Sequence, residues 1–306
     1  MPRWPGPVLV LAGALLALGS VGAAGMVDQG MLELEDRGVL LWLLFAGGVL
    51  FLGGLVYVAV RQLHVRRHLP PERYRGPSVL ILLVLVLVTA GILTAPFGED
   101  AAALLLGEGE LSPLGAVVLL VSTQAALLAV SWLFVFRTRA LSGWPSWTGT
   151  DPAAALFSGL RWGVLAWIGA TAVSALVVIV LERLGISADP QAAERALLTI
   201  DPVLAVVAIV ILAPIAEELF FRGVVFNAWL REAGRRYAYV GSSLLFAVIH
   251  LSVAAVLPIF LLGLALAWVY RRTGNLLAPI AMHATVNGIS VALAMLARFE
   301  VVPLPV

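Results

Sequence analysis

The stretch APIAEELFFRG, residues 213–223, places two carboxylates and a guanidinium inside an apolar part of the chain. Glu218 and Arg222 are four residues apart, so in a helix they share one face and can form an ion pair. Such a pair lowers the cost of burying both charges. Glu217 lies about 100° away around the helix and lacks that partner, which makes its carboxylate a candidate proton acceptor.

Two histidines extend this set of ionisable residues. The chain has 4 histidines; two lie in an Arg-rich loop, whereas His250 and His283 lie within predicted membrane spans. Phe246 and His250 are four residues apart, and so are His283 and Asn287, which puts each pair on one helix face. Ionisable groups are costly in hydrocarbon unless they are paired or hydrated. We therefore expect Glu217 and these polar side chains to converge on one site within the membrane.

The composition indicates what kind of element must position these residues. The 306-residue chain is 61% hydrophobic and 12% charged, whereas about a quarter of the residues of a soluble domain are charged. We predict an all-α, polytopic integral membrane protein in contact with the lipid bilayer. The lack of cysteine excludes disulfides and thiolate metal sites, and the net charge of +1 argues against a nucleic-acid partner.

Apolar runs of about 20 residues can span a bilayer as helices. Nine such runs are predicted, at about 7–26, 39–60, 78–96, 112–136, 162–181, 202–229, 237–254, 255–270 and 276–297. The first is predicted to be a retained helix; a cleaved signal peptide is the alternative, because the run follows Arg3 and ends in small residues. In the sixth run, Pro214 frees a backbone carbonyl and can kink the helix. Broken helices inside membranes usually line enclosed cavities.

The loops between these runs alternate in charge. All 19 basic residues are arginine, and 13 of them cluster at 61–75, 137–161, 231–236 and 271–272. The intervening loops are acidic or mixed, from Asp28 to Asp36, from Glu99 to Glu110 and from Glu182 to Glu194. Because cytoplasmic loops collect arginine, we predict a cytoplasmic N-terminus and an external C-terminus.

The segment 137–160, which is rich in Gly, Pro, Ser and Thr, is predicted to be a loop that separates two units. Residues 1–160 would form accessory transmembrane helices. We expect no chemistry in these helices, because their apolar runs carry almost no polar residues beyond Ser122, Thr123 and Gln124. Residues 161–298 would form the functional core, with its motifs in 200–297.

Three motifs, in this order, resemble those of the CPBP intramembrane protease family, which includes the CAAX prenyl endopeptidases and the bacterial Abi-type proteins. They are EELFFR (Glu217 to Arg222), FAVIH (Phe246 to His250) and HATVN (His283 to Asn287). The resemblance covers about a third of the chain. It implies an intramembrane endopeptidase in a bacterial inner membrane, with a peptide or membrane-protein substrate.

The resemblance also implies roles for the motif residues. Glu217 and His250 would hold and activate a water, while His283 and Asn287 would stabilise the oxyanion of the tetrahedral intermediate. The neighbouring Glu–Arg pair would fix the helix and tune the general base. Glu217, His250 and His283 would also suit an open zinc site. Because no His-Glu-x-x-His signature is present, a site without a cofactor is favoured over one that holds a zinc ion.

Two other functions stay open at the level of the sequence. A transporter would use Glu217, His250 and His283 as a proton or cation relay. Such proteins often show inverted repeats and paired broken helices, and we find neither in this sequence. A non-catalytic membrane scaffold or immunity protein of the same fold is the second alternative. In that case the histidines and Asn287 would serve as interhelical hydrogen-bonding residues.

Overall fold

Helices account for all regular secondary structure in the part of the chain that the structure describes. The computed structural model describes residues 8–17, 19, 36–97, 112–142, 149–185, 200–250 and 252–298. Nine helices and no strand occur in these ranges, which confirms the predicted all-α bundle. Most residues of the predicted acidic loops lie outside the described residues. The end of the first predicted run lies there too, so the question of a cleaved signal peptide concerns residues that the structure does not describe.

The helices are numbered here in chain order. They are α1 (Val8–Ala17), α2 (Asp36–Arg66), α3 (Val79–Thr94, followed by the 3₁₀ turn Ala95–Phe97), α4 (Pro113–Ser131, continued by the π segment Trp132–Phe136), α5 (Pro152–Arg183), α6 (Pro202–Glu232), α7 (Arg235–Val248), α8 (Val256–Thr273) and α9 (Leu277–Arg298).

Six of the described helices, α2, α4, α5, α6, α8 and α9, are long and apolar enough to cross a membrane. The other three are shorter, with 16 residues in α3 and 14 in α7. None of the residues in the most apolar stretch of α5 is buried by the rest of the protein. Exposed apolar side chains along so long a helix are expected where the helix faces lipid. The chain is therefore a polytopic integral membrane protein, as predicted.

Three of these helices begin at the same local signal, a Ser or Asp followed by proline. Asp151 accepts hydrogen bonds from two backbone N–H groups of the first turn of α5, and Ser112 and Asp201 cap α4 and α6 in the same manner. The side chain satisfies N–H groups that lack a helical partner, and proline at the first position has no N–H to satisfy. For this reason α5 begins at Pro152 rather than at the predicted residue 162.

Helix α6 is not a uniform α-helix. Its short α segment Ala213–Glu218 lies between two π segments, Val206–Leu212 and Leu219–Phe226. Segments with π geometry shift the register of the backbone hydrogen bonds and occur often at functional sites. Helices α4, α7, α8 and α9 all pack against parts of α6. The two adjacent glutamates therefore lie on the central helix of the bundle.

Helices α5 and α9 approach each other closely at a pair of glycines. A Cβ atom at Gly159 would overlap the carbonyl oxygen of Ala278, and one at Gly163 would lie 2.5 Å from the Cβ of Thr285. Glycines four residues apart let two membrane helices approach closely enough for extensive van der Waals packing. This contact fixes the position of α9 on either side of His283.

Contacts between loops agree with the predicted alternation of the two membrane faces. Arg66 and Glu232, at the ends of α2 and α6, form an ion pair of 2.8 Å, and both lie in segments predicted to be cytoplasmic. On the predicted outer side, Arg298 donates to the carbonyl oxygen of Ile200 at 2.8 Å. Each contact joins two segments that the sequence predicts to lie on the same side of the membrane. Which side is cytoplasmic stays a prediction.

Candidate active site

A buried cluster of charge lies where α6 and α9 meet. The Nη1 atom of Arg222 lies 2.9 Å from Oε1 of Glu218, and both side chains are completely buried, so the ion pair predicted from the spacing is present. The Nδ1 atom of His283 lies 3.0 Å from the same Oε1. Arg222 also donates through Nη2 to the carbonyl oxygen of Gly263 in α8 at 3.0 Å. This network joins three helices around the completely buried pair of Glu218 and Arg222.

The contacts of Glu218 determine which nitrogen of His283 carries a proton. Its Oε1 receives the guanidinium of Arg222 and also faces Nδ1 of His283, so this oxygen acts as an acceptor in both bonds. Nδ1 must therefore be the protonated nitrogen, and in a neutral ring the other nitrogen, Nε2, carries a lone pair. A carboxylate that fixes a histidine in this way also orients the ring.

The carboxylate of Glu217 faces that lone pair. Its Oε2 lies 4.0 Å from Nε2 of His283, and the two side chains are 12% and 5% exposed. Oε2 is buried and has no hydrogen-bond partner among the described residues, whereas Oε1 accepts from Nε2 of Gln124 at 3.3 Å. This separation matches the spacing of two acceptors that share one water, which would donate a hydrogen bond of about 2.8 Å to each.

The ring of Phe246 connects the two histidine motifs. Its centroid lies 5.0 Å from that of His250 and 5.7 Å from that of His283, and both pairs of rings meet edge to face. The guanidinium carbon of Arg222 lies 4.6 Å from the same centroid, within the range of a cation–π interaction. Phe246 is itself buried, so it acts as an apolar wall of the site.

His250 lies at the edge of this cluster, and its position differs from the predicted one. Helix α7 ends at Val248, so His250 follows the helix instead of lying inside a span that continues to 254. The hydroxyl of Ser252 accepts from the backbone N–H of Ala255 at 3.3 Å; such a local bond starts a new turn and competes with continuation of the helix. The His250 ring is exposed.

The ring nitrogen Nδ1 of His250 donates to the carbonyl oxygen of Phe246 at 2.7 Å. A carbonyl can only accept, so Nε2 carries the lone pair when the ring is neutral. Among the described residues, His250 forms no hydrogen bond or ion pair with Glu217 or Glu218. The structure therefore brings Glu217, Glu218, Arg222 and His283 into one cluster and leaves His250 beside it, behind the ring of Phe246.

Asn287 replaces a hydrogen bond that proline removes from α6. In the π segment the N–H of Ala213 donates to the carbonyl of Ala208, so the next carbonyl, that of Ile209, is in register with Pro214, which has no N–H. The amide nitrogen of Asn287 donates to this carbonyl at 2.9 Å. Pro214 thus frees a backbone carbonyl as predicted, and one amide proton of Asn287 is used to satisfy it.

The predicted zinc ligands converge only in part. Nε2 of His283 and Oε2 of Glu217 face each other, and Glu218 supports His283 as carboxylates commonly support metal-binding histidines. His250 does not join them. Within the described ranges no group of three or more His, Asp or Glu side chains is arranged to hold a metal ion, so the side chains do not form the three-ligand site that zinc requires.

Gln124 is the polar contact that sequence reasoning missed. It lies on α4, in a region for which we expected no chemistry, yet it donates to Glu217 across 93 positions of sequence. The signal in the sequence was a glutamine in the middle of an apolar run. Its partner could not be inferred, because the packing of α4 against α6 depends on the arrangement of the whole bundle.

One family model and two curated bacterial proteins are similar to part of this chain. Residues 199–289 match the family model described as "Type II CAAX prenyl endopeptidase Rce1-like". The chain is 32% identical over 78 residues to "UPF0177 protein YxdF" of Lactococcus lactis and 31% identical over 77 residues to "Putative membrane peptidase YdiL" of Bacillus subtilis. Each match covers 25% of this chain and 42% or 32% of the relative. No solved structure matches the chain significantly.

Proposed function

We propose that this chain, whose residues 199–289 match the family model of type II CAAX prenyl endopeptidases, is an intramembrane endopeptidase that hydrolyses a peptide bond of a membrane-associated substrate with an activated water. The family supports a membrane endopeptidase in general, and the mechanism is inferred from the cluster on α6 and α9. The observation that carries the proposal is the buried pair of acceptors, Oε2 of Glu217 and Nε2 of His283, 4.0 Å apart.

In this proposal a water between the two acceptors is polarised by both. One of its protons passes to the Glu217–His283 pair as its oxygen forms a bond to the carbonyl carbon of the substrate. The resulting tetrahedral intermediate carries a negative oxygen. When the carbon–nitrogen bond breaks, the stored proton passes to the leaving amine, so one water is consumed and the side chains return to their starting state.

The tautomer of His283 refines the role that the family resemblance implies for this residue. A neutral His283 whose Nδ1 donates to Glu218 has no proton on Nε2, so it cannot stabilise an oxyanion as a neutral donor. It becomes a donor only after taking the proton of the water, and the resulting imidazolium is stabilised by Glu218. The second amide proton of Asn287 and an exposed His250 ring supply further polar groups for the substrate.

No step of this proposal passes through a metal ion, because the three predicted ligands do not form one site. The substrate class follows from the family and the location: a peptide or membrane-protein segment that reaches a site enclosed by α4, α6 and α9. The description of the family model names prenylated substrates, but the proposal does not include a prenyl group, because it rests on polar contacts among the described residues of the cluster. The bacterial inner membrane as location and the cytoplasmic N-terminus are likewise proposals.

The test uses the purified full-length protein in lipid vesicles, with a library of internally quenched peptides and with membrane-protein fractions as substrates. Glu217→Gln replaces the carboxylate of the proton-accepting pair with a neutral amide of similar size and is expected to reduce kcat by at least about 10³-fold, within the range that general acid–base catalysis contributes. Glu232→Gln, on the same helix but in an exposed ion pair, is the matched control and keeps wild-type turnover.

Hydrolysis by the Glu217→Gln variant at the wild-type rate would overturn the proposal. If instead neither protein cleaves any substrate, while proton or cation flux into the vesicles depends on Glu217, the cluster serves a transporter. Unchanged flux and no cleavage in either protein would favour a non-catalytic scaffold. Comparison of the membrane proteomes of cells that express the wild-type and Glu217→Ala proteins would identify the physiological substrate by its accumulation.

A further inference from the structure

Helix α4 contributes a side chain to the site although it lies outside the segment that matches the family model. That segment comprises residues 199–289, whereas Gln124 lies on α4, Pro113–Ser131. Helix α4 packs along the short α segment of α6 that carries the two glutamates. Gln124 is 4% exposed, so its amide lies inside the bundle, and it is the donor that the structure gives to Glu217.

The hydrogen bond from Gln124 separates the two oxygens of the Glu217 carboxylate. Oε1 accepts from Nε2 of Gln124 at 3.3 Å, while Oε2 is directed towards Nε2 of His283 at 4.0 Å. A carboxylate on a glutamate side chain turns about its last bond with little resistance. With one oxygen held by an amide, the remaining oxygen is kept facing the histidine, which is the orientation that the bridging water needs.

The carbonyl oxygen of the Gln124 side chain does not stabilise the described part of the fold through a hydrogen bond. Its Oε1 is buried and has no hydrogen-bond partner among the described residues. A buried acceptor without a partner destabilises a protein, so a residue placed only for stability would be better replaced by an apolar one. Placement of a glutamine here is therefore best explained by what its amide nitrogen does for Glu217.

We propose that Gln124 is a positioning residue for the hydrolytic reaction: it orients the carboxylate of Glu217 so that Oε2 and His283 share the attacking water. This inference rests on the proposed endopeptidase function. It also assigns a role to α4, one of the helices before residue 160, which would complete the site instead of serving only as an accessory span. The segment matched by the family model would then be insufficient for full activity.

The experiment compares two substitutions of Gln124 in the full-length protein in lipid vesicles. Gln124→Met keeps the length and volume of the side chain but removes the donor. Gln124→Asn keeps an amide but withdraws it from Glu217 by one methylene. Because small displacements of a catalytic group reduce the rate sharply, both variants are expected to lower kcat by about 10- to 100-fold with KM changed less than about twofold.

Thr123→Val is the matched control. Thr123 neighbours Gln124 on α4, but its hydroxyl donates to the carbonyl of Leu119 in the same helix at 2.9 Å, so the variant loses a polar group without touching Glu217. Its kcat and KM are expected to equal those of the wild type. Thermal unfolding of every variant identifies any that fails to fold, and the Asn variant, which stays polar and smaller, then decides in place of the Met variant.

The outcomes separate this inference from the proposed function. If the wild type cleaves peptides, Glu217→Gln does not, and both Gln124 variants keep the wild-type kcat, the inference is overturned while the endopeptidase stands. A higher KM at unchanged kcat would also overturn it, since Gln124 would then contact the substrate and not position Glu217. If Glu217→Gln cleaves as fast as the wild type, the proposed function fails and this inference fails with it.

Discussion

The substitution Asn287→Ala tests how the glutamate-bearing helix is held against α9. It removes the donor that reaches the carbonyl of Ile209 at 2.9 Å. That carbonyl has no backbone donor in register because Pro214 lacks an N–H. The variant therefore leaves a backbone acceptor without a partner inside the membrane, and we expect a loss of stability in addition to any loss of activity.

The size of the loss can be bounded. Interhelical side-chain hydrogen bonds in membrane proteins contribute about 0.6 kcal/mol on average and up to about 1.7 kcal/mol. A buried polar group left without a partner costs about 1–3 kcal/mol. Since Ile209 has no alternative donor in register, we expect Asn287→Ala to lower the free energy of unfolding by about 1.5 kcal/mol, near the upper end of the membrane range.

Pro214→Ala distinguishes this mechanism from a general effect of removing a polar residue. Alanine restores a backbone N–H that can bond the carbonyl of Ile209, so Asn287→Ala should cost less than about 0.5 kcal/mol in a Pro214→Ala background, within the scatter of an exposed substitution. Unfolding would be followed by circular dichroism during titration of detergent-solubilised protein with SDS. Thr285→Val, which removes a hydroxyl bonded within α9 to Ala281, is the control and should be neutral.

The result that would refute this reasoning is an equal cost of Asn287→Ala in the two backgrounds. Asn287 would then stabilise the bundle through some contact other than the carbonyl that proline leaves free. The reasoning would also be refuted if the single variant Asn287→Ala were as stable as the wild type. Water or a rearranged backbone would then satisfy the carbonyl of Ile209 without loss of stability.

Further tests concern the buried ion pair, the contact between α5 and α9, and the metal content of the site. Arg222→Met leaves Glu218 as an unpaired buried charge and should destabilise by about 3–5 kcal/mol in the same unfolding assay, and combination with Glu218→Gln should recover a large part of that loss. Gly163→Leu should force α5 away from α9 and lower both stability, by about 1–3 kcal/mol, and peptide turnover. Gly169→Leu on the same helix, where an added Cβ would meet no other part of the described protein within 4 Å, should leave both unchanged. Dialysis against a zinc chelator should leave turnover unchanged, and a loss that added zinc restores would refute the metal-free proposal.

Local signals in the sequence predict much of this fold. Apolar runs locate all nine described helices, and the spacing of Glu218 and Arg222 predicts their ion pair. The starts of helices carry local signals as well: α5 begins at the Asp-Pro pair 151–152, ahead of the apolar run that predicts a start at 162. The end of α7 before His250 was not predictable from hydrophobicity, because the chain stays apolar while Ser252 starts a new turn.

Contacts between distant helices were beyond the reach of such signals. The sequence predicts that Glu217 acts with His250, which stays a prediction, whereas the imidazole that lies 4.0 Å from the Glu217 carboxylate is that of His283. The motif residues reveal that a site exists, but the order in which helices pack decides which of two similar rings faces the carboxylate. The same limitation applies to Gln124 on α4, because its partner Glu217 lies on α6, the second helix after it in the chain.

The two adjacent glutamates show how packing assigns different roles to identical side chains. Glu218 is completely buried, and one of its oxygens binds both Arg222 and His283, so its charge is balanced and its carboxylate is unavailable to a substrate. Glu217, about 100° away on the helix, is partly exposed and keeps one oxygen without a partner among the described residues. A carboxylate that reacts needs an oxygen without a partner, as Glu217 has, whereas a carboxylate that orients His283 needs to be held by several contacts, as Glu218 is. The π segments on either side of Ala213–Glu218 set the rotation of this short α segment, so a register shift of one residue there would turn both carboxylates about 100° around the helix. Each would leave its present environment, and the site would be lost without a change in any of its residues.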